Sequence, residues 1–122
     1  MGNREEARKY FSIFKKIATE EWMKKRPNDA GTYIAIGDVA AHLGDIEFSK
    51  EMLQEARDID STLHERFAEV LCVQGNIPEA LYEIEKALDN GFRNLLWFKL
   101  NPDLQILHND ARYKSLIDKY FR

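Results

Sequence analysis

The chain has a single cysteine, Cys72, so it can hold neither an internal disulfide nor a cysteine-cluster zinc site. No apolar run approaches the roughly 20 residues that span a bilayer. The first residues, Met1-Gly2-Asn3-Arg4-Glu5-Glu6, are charged where a signal peptide needs its apolar stretch, so the expected compartment is the cytoplasm and no membrane partner is expected. The net charge is only −3, which speaks against a nucleic-acid binder. The six glycines are scattered, and none builds a phosphate-cradling loop. His42, His64 and His108 include no i,i+4 pair and no His-Glu-x-x-His arrangement, the spacing that puts two imidazoles on one helix face. Cys72 with His42 is the one conceivable nucleophile pair; a small, half-buried packing thiol accounts for that cysteine more simply. No catalytic, cofactor or metal residue is expected, and nothing points to an enzyme.

What the chain does have is the material of one folded domain: 122 residues, 44% hydrophobic, 32% charged and 11% aromatic. Charge is unevenly placed. Residues 1–26 carry a net +4, residues 27–69 a net −7, and residues 70–122 balance. A basic leading helix therefore precedes an acidic middle. Lys24-Lys25-Arg26 complements the negative C-terminal end of that helix more readily than it makes a nucleic-acid or membrane patch.

Helical periodicity runs through the sequence. Over residues 4–25, Ala7, Tyr10, Phe11, Phe14, Ile17, Ala18 and Trp22 recur at three- and four-residue steps and predict one amphipathic helix that stops before Pro27. Residues 30–43 predict a second helix, broken by Gly44-Asp45, and Ile46 to Ile59 a third. Asp60-Ser61-Thr62 offers side-chain oxygens to cap a fourth, which ends at Gly75-Asn76. A fifth starts near Pro78 and reaches Asn90-Gly91. Leu95 to Leu100 reads as a short, heavily buried helix. Leu104, Ile106 and Leu107 make one or two turns, and the last helix carries Tyr113, Leu116, Ile117, Tyr120 and Phe121. No stretch alternates as a strand does. The expected class is all-α, with antiparallel neighbours joined by short turns.

The same punctuation occurs three times. Gly44-Asp45-Ile46-Glu47-Phe48-Ser49 is matched by Gly75-Asn76-Ile77-Pro78-Glu79-Ala80 and by Gly2-Asn3-Arg4-Glu5-Glu6-Ala7. In each, glycine closes one helix, Asp or Asn caps the next, and a small residue lets two helices approach. Between Ala30 and Ser61, Tyr33, Ile36-Gly37, Ala40, Gly44-Asp45, Ser49, Leu53 and Ala56 resemble the tetratricopeptide repeat, a helix-turn-helix unit of about 34 residues. A second unit from Ser61 to about Asn90 has His64 at the aromatic position and Phe67-Ala68 as the apolar-plus-small pair. The glycines stand 31 and 42 residues apart. Gly91-Phe92-Arg93-Asn94, Trp97, Asn101-Pro102-Asp103-Leu104, Leu107 and Asp110-Ala111-Arg112-Tyr113 resemble the degenerate repeat that closes many bacterial tetratricopeptide regions, including some appended to nucleotide cyclases and protein kinases.

The resemblance implies one domain over residues 1–122, a short right-handed α-solenoid of stacked antiparallel hairpins. It would divide into a partial leading repeat (1–29), repeats at 30–60 and 61–91, and a closing repeat (92–122). It also implies a concave groove lined by first helices, with Ile34, Asp38, Ala41 and His42 facing in from one hairpin and Glu65, Glu69, Cys72 and Val73 from the next. Asp38, Glu65 and Glu69 would repel a peptide carboxylate, so the expected partner is a basic, amphipathic protein segment. The expected function is a non-enzymatic protein-interaction module, part of a larger protein. The rival expectation is a structural or self-assembly domain beside an enzyme, homodimeric through the N-terminal helix, since the chain opens at an inter-helix turn and leaves Phe11 and Phe14 without a neighbour.

Overall fold

The computed structural model describes the backbone of residues 2–121 and the side chains of those residues other than 2–4 and 7. Among them every regular element is helical. The chain divides into two compact units, Met1–Ser61 and Thr62–Arg122.

In the first unit, α1 (Gly2–Ile17) continues through a π-helical turn (Ala18–Trp22) into a last turn, α2 (Met23–Lys25). Asp29 then caps α3 (Ala30–His42), its carboxylate accepting from the Gly31 N–H. Asp45 caps α4 (Ile46–Ile59) by accepting from the Phe48 N–H. Between them Gly44 takes φ +92°, a left-handed conformation that costs a residue with a Cβ dearly. The α3–α4 hairpin closes on Ile36, Ala40, Met52, Leu53 and Ala56, all buried. Each large apolar side chain so buried contributes roughly 1.5–3 kcal/mol. At Gly2-Asn3 the expected turn does not recur, because both residues already lie in the first turn of α1, and the side chains of Asn3 and Ala7 are outside the described ones.

The second unit repeats this hairpin with α5 (His64–Gln74) and α6 (Ile77–Asp89), turned by Gly75 at φ +81° and capped by Asn76. The turn bonds correspond one for one. Gly44 N–H donates to the Ala41 carbonyl and Asp45 N–H to that of Ala40; Gly75 N–H donates to Cys72 and Asn76 N–H to Leu71. Then come α7 (Leu95–Leu100), a 3₁₀ turn (Pro102–Leu107) and α8 (Ala111–Tyr120), started by Asn94, Asn101 and Asp110 as caps. Leu104 and Leu107 are fully buried, and the 3₁₀ turn packs on α5 while α8 packs on α6. Phe98 anchors the tail, with edge-on ring contacts to Phe92, Trp97 and Phe121.

Three local expectations change. Leu63, with no side-chain oxygen, stands at the cap of α5, so Asp60-Ser61-Thr62 ends α4 as a turn instead of capping the fourth helix. Asp60 N–H bonds back to Ala56. In α7 Phe98 alone is buried, while Leu96 and Leu100 are 66% and 70% exposed, because a six-residue helix has one inward face. The leading helix is also not a plain α-helix, since the π turn interrupts it.

Candidate partner-binding surfaces

The expected groove residues lie on α3 and α5, one set in each unit. On α3, Ile34 and Ala41 are buried, while Asp38 is half-buried and His42 exposed. His42 Nε2 sits 3.5 Å from Asp38 Oδ1, one helical turn back. On α5, Glu65 and Val73 are half-buried and Cys72 is buried. Glu69 accepts the indole N–H of Trp97 at 2.8 Å, which ties α5 to α7. Burial therefore closes Ile34, Ala41 and Cys72 to direct contact. Asp38 and His42 on one helix, and Glu65 and Val73 on the other, remain open in part.

The residues weighed for chemistry have structural neighbours. Burial pushes the Cys72 thiol up to about 12, with the carboxylates of Asp103 and Glu69 adding to the shift. A thiol held protonated there is a poor nucleophile. His108 Nε2 lies 3.0 Å from the Phe98 carbonyl; since a carbonyl only accepts, that nitrogen carries the proton. The Tyr113 hydroxyl donates to the same oxygen at 2.9 Å, which satisfies the C-terminal end of α7. His64 Nδ1 lies 2.6 Å from Glu83 Oε2, across the α5–α6 crossing.

Glu83 is the residue that sequence reasoning missed. A signal was present: in the 31-residue spacing of Gly44 and Gly75, His64 falls where Tyr33 stands and Glu83 where Met52 stands. Both Tyr33 and Met52 are buried. Two polar residues at two buried positions imply that they bond each other.

The leading helix carries a second surface. Its apolar residues divide between two sides. Ala18 is fully buried and Phe11 packs edge-on against Phe48 of α4, with Lys15 Nζ 4.6 Å over the Phe48 ring. Tyr10, Ile13, Ile17 and Trp22 instead remain 64%, 47%, 42% and 43% exposed. At about 100° per residue, Tyr10, Ile13 and Ile17 fall on one side of the axis within about 60°. The extra residue of the π turn, whose bond runs from Met23 N–H to the Ala18 carbonyl, returns Trp22 to that side. Its ring accordingly meets Phe14 edge-on at 5.8 Å. Beyond Trp22 lies a cavity of about 350 Å³ lined by Trp22, Lys25, Arg26, Thr32 and Ala35.

Among the described residues no helix is long and apolar enough to cross a membrane. Compared with known proteins, the chain matches no family model, no curated protein and no solved structure. The class that the fold defines is all-helical, built on two glycine-turned hairpins.

Proposed function

We propose that the chain is a non-enzymatic protein-interaction module whose hairpins are tetratricopeptide-like repeats of an α-solenoid, with first helices that receive a basic, amphipathic partner segment. The observation that carries this reading is the repetition of the hairpin position by position. Gly37 and Ser49 cross closely in one, Ala68 and Ala80 occupy the same positions in the other, and the turn bonds correspond. A hairpin stiffened in this way presents its outer positions already ordered, so a partner pays little to organise the receptor. Asp38 on α3 and Glu65 on α5 supply negative charge on the partly open positions, which favours a basic segment and speeds its encounter.

The test is a fluorescence-anisotropy titration with a labelled peptide of residues 4–25, the chain's own basic amphipathic sequence. Glu65→Lys is a cleaner probe than Glu69→Lys, because Glu69 holds Trp97. Binding by the wild type that fades with salt and weakens in Glu65→Lys and Asp38→Lys supports the reading. Unchanged binding in both variants at low ionic strength overturns it.

A further inference from the structure

We infer that the exposed side of the leading helix is a docking seam for an acidic amphipathic helix from another protein. This surface is separate from the acidic first-helix positions proposed above and opposite to them in charge. Tyr10, Ile13 and Ile17 follow the three-then-four spacing of a coiled-coil seam, and the π turn extends the line to Trp22. Four aligned, exposed apolar side chains are anchors of the kind that a partner helix covers with its own apolar stripe.

Charge names the occupant. Residues 1–26 carry a net +4. Lys9 and Lys16 lie along the flank beside Ile13, two turns apart, and Lys25 and Arg26 line the cavity where the seam ends. A partner helix with Glu or Asp beside its apolar stripe meets these cations along its length. Its own N-terminal turn, where acidic residues are favoured, suits the Lys25–Arg26 end. A second copy fits worse, because antiparallel pairing of two leading helices sets Lys9 and Lys16 against the same lysines of the other chain. A lipid surface fits worse too. The apolar stripe is narrow, which suits the single face of a helix better than a lipid interface.

Three probes test this: a synthetic helix with leucine at seam positions and glutamate beside them, its lysine-flanked counterpart, and phosphatidylserine vesicles. The full chain should bind the glutamate peptide in preference to the lysine one. Ile13→Asp with Ile17→Asp should weaken binding by about tenfold or more, which corresponds to about 1.4 kcal/mol. Both positions are exposed, so circular dichroism should be unchanged. Lys9→Glu with Lys16→Glu should reverse the preference between the peptides. Equal binding of both peptides, or of neither, overturns the inference. So does binding to vesicles without binding to the glutamate peptide, or self-association that Ile13→Asp abolishes and that Asp38→Lys and Glu65→Lys leave intact. The seam variants leave Asp38 and Glu65 untouched, so failure here and failure of the proposed function are distinguishable.

Discussion

His64 and Glu83 form a bonded polar pair at the two positions that Tyr33 and Met52 hold in the preceding hairpin. Their side chains are 16% and 8% exposed, so the imidazole depends on the Glu83 carboxylate to replace lost water.

Removing one partner should therefore cost more than removing both. Glu83→Met alone strands the imidazole and should destabilise the protein by about 1–3 kcal/mol. His64→Tyr with Glu83→Met installs the first hairpin's pair and should return stability to within about 1 kcal/mol of wild type, or above it. Urea denaturation of the two singles and the double measures this. If the double loses as much as the sum of the singles, the pair does not act as a unit.

The crossing inside each hairpin gives a second expectation. A Cβ on Gly37 would stand 3.3 Å from Met52 Cβ and 3.3 Å from the Ser49 carbonyl oxygen, and Ser49 Oγ already donates to the Gly37 carbonyl at 2.7 Å. Gly37→Val should overpack this crossing, as should Ala80→Leu in the second hairpin, each by roughly 1–3 kcal/mol. Thermal melts should show both; an unchanged melting temperature for Ala80→Leu would mean that the two hairpins do not share one packing scheme.

Much of this was legible in the residues. Asp29, Asp45, Asn76, Asn94, Asn101 and Asp110 each accept from a backbone N–H at the start of a helical element, and capping chemistry is local enough to read from sequence. The glycine turns were legible for the same reason. What periodicity could not give was which apolar side chains are covered. The stripe from Tyr10 to Trp22 reads as one face, yet the fold packs Phe11 on Phe48 and buries Ala18 while it leaves Tyr10, Ile17 and Trp22 out. Nor could it show that Glu69 is engaged by Trp97, since that bond joins residues 28 apart.

Alkaline pH should unfold the second unit through two protons. Burial holds the Tyr113 hydroxyl up to about 12, and the neighbouring Cys72 thiol is likewise pushed up to about 12. The unfolded chain releases these protons near 10.0 and 9.0. Both folded values are raised, so the unfolded state binds fewer protons than the folded one between those limits. Stability is then full below pH 9.0 and falls as pH rises toward about 12. Urea midpoints between about pH 8 and 11 should decline, and the decline should shrink in Cys72→Ala. In the same range Cys72 should resist iodoacetamide until the chain unfolds.

The π turn makes the sharpest structural prediction. If its extra residue is what brings Trp22 into line with Ile17, deleting Glu20 should convert the segment to ordinary α-helix and leave Trp22 where it is. The contact between the Trp22 and Phe14 rings should then survive as a nuclear Overhauser effect, with helix content unchanged or higher. Inserting an alanine after Glu20 adds a further residue that the turn has already used its slack to absorb. In continuous helix it rotates Trp22 by about 100° and should break that contact. Loss of the ring contact on deletion, or its persistence on insertion, would show that packing around Ala18, and not residue count, sets the position of Trp22.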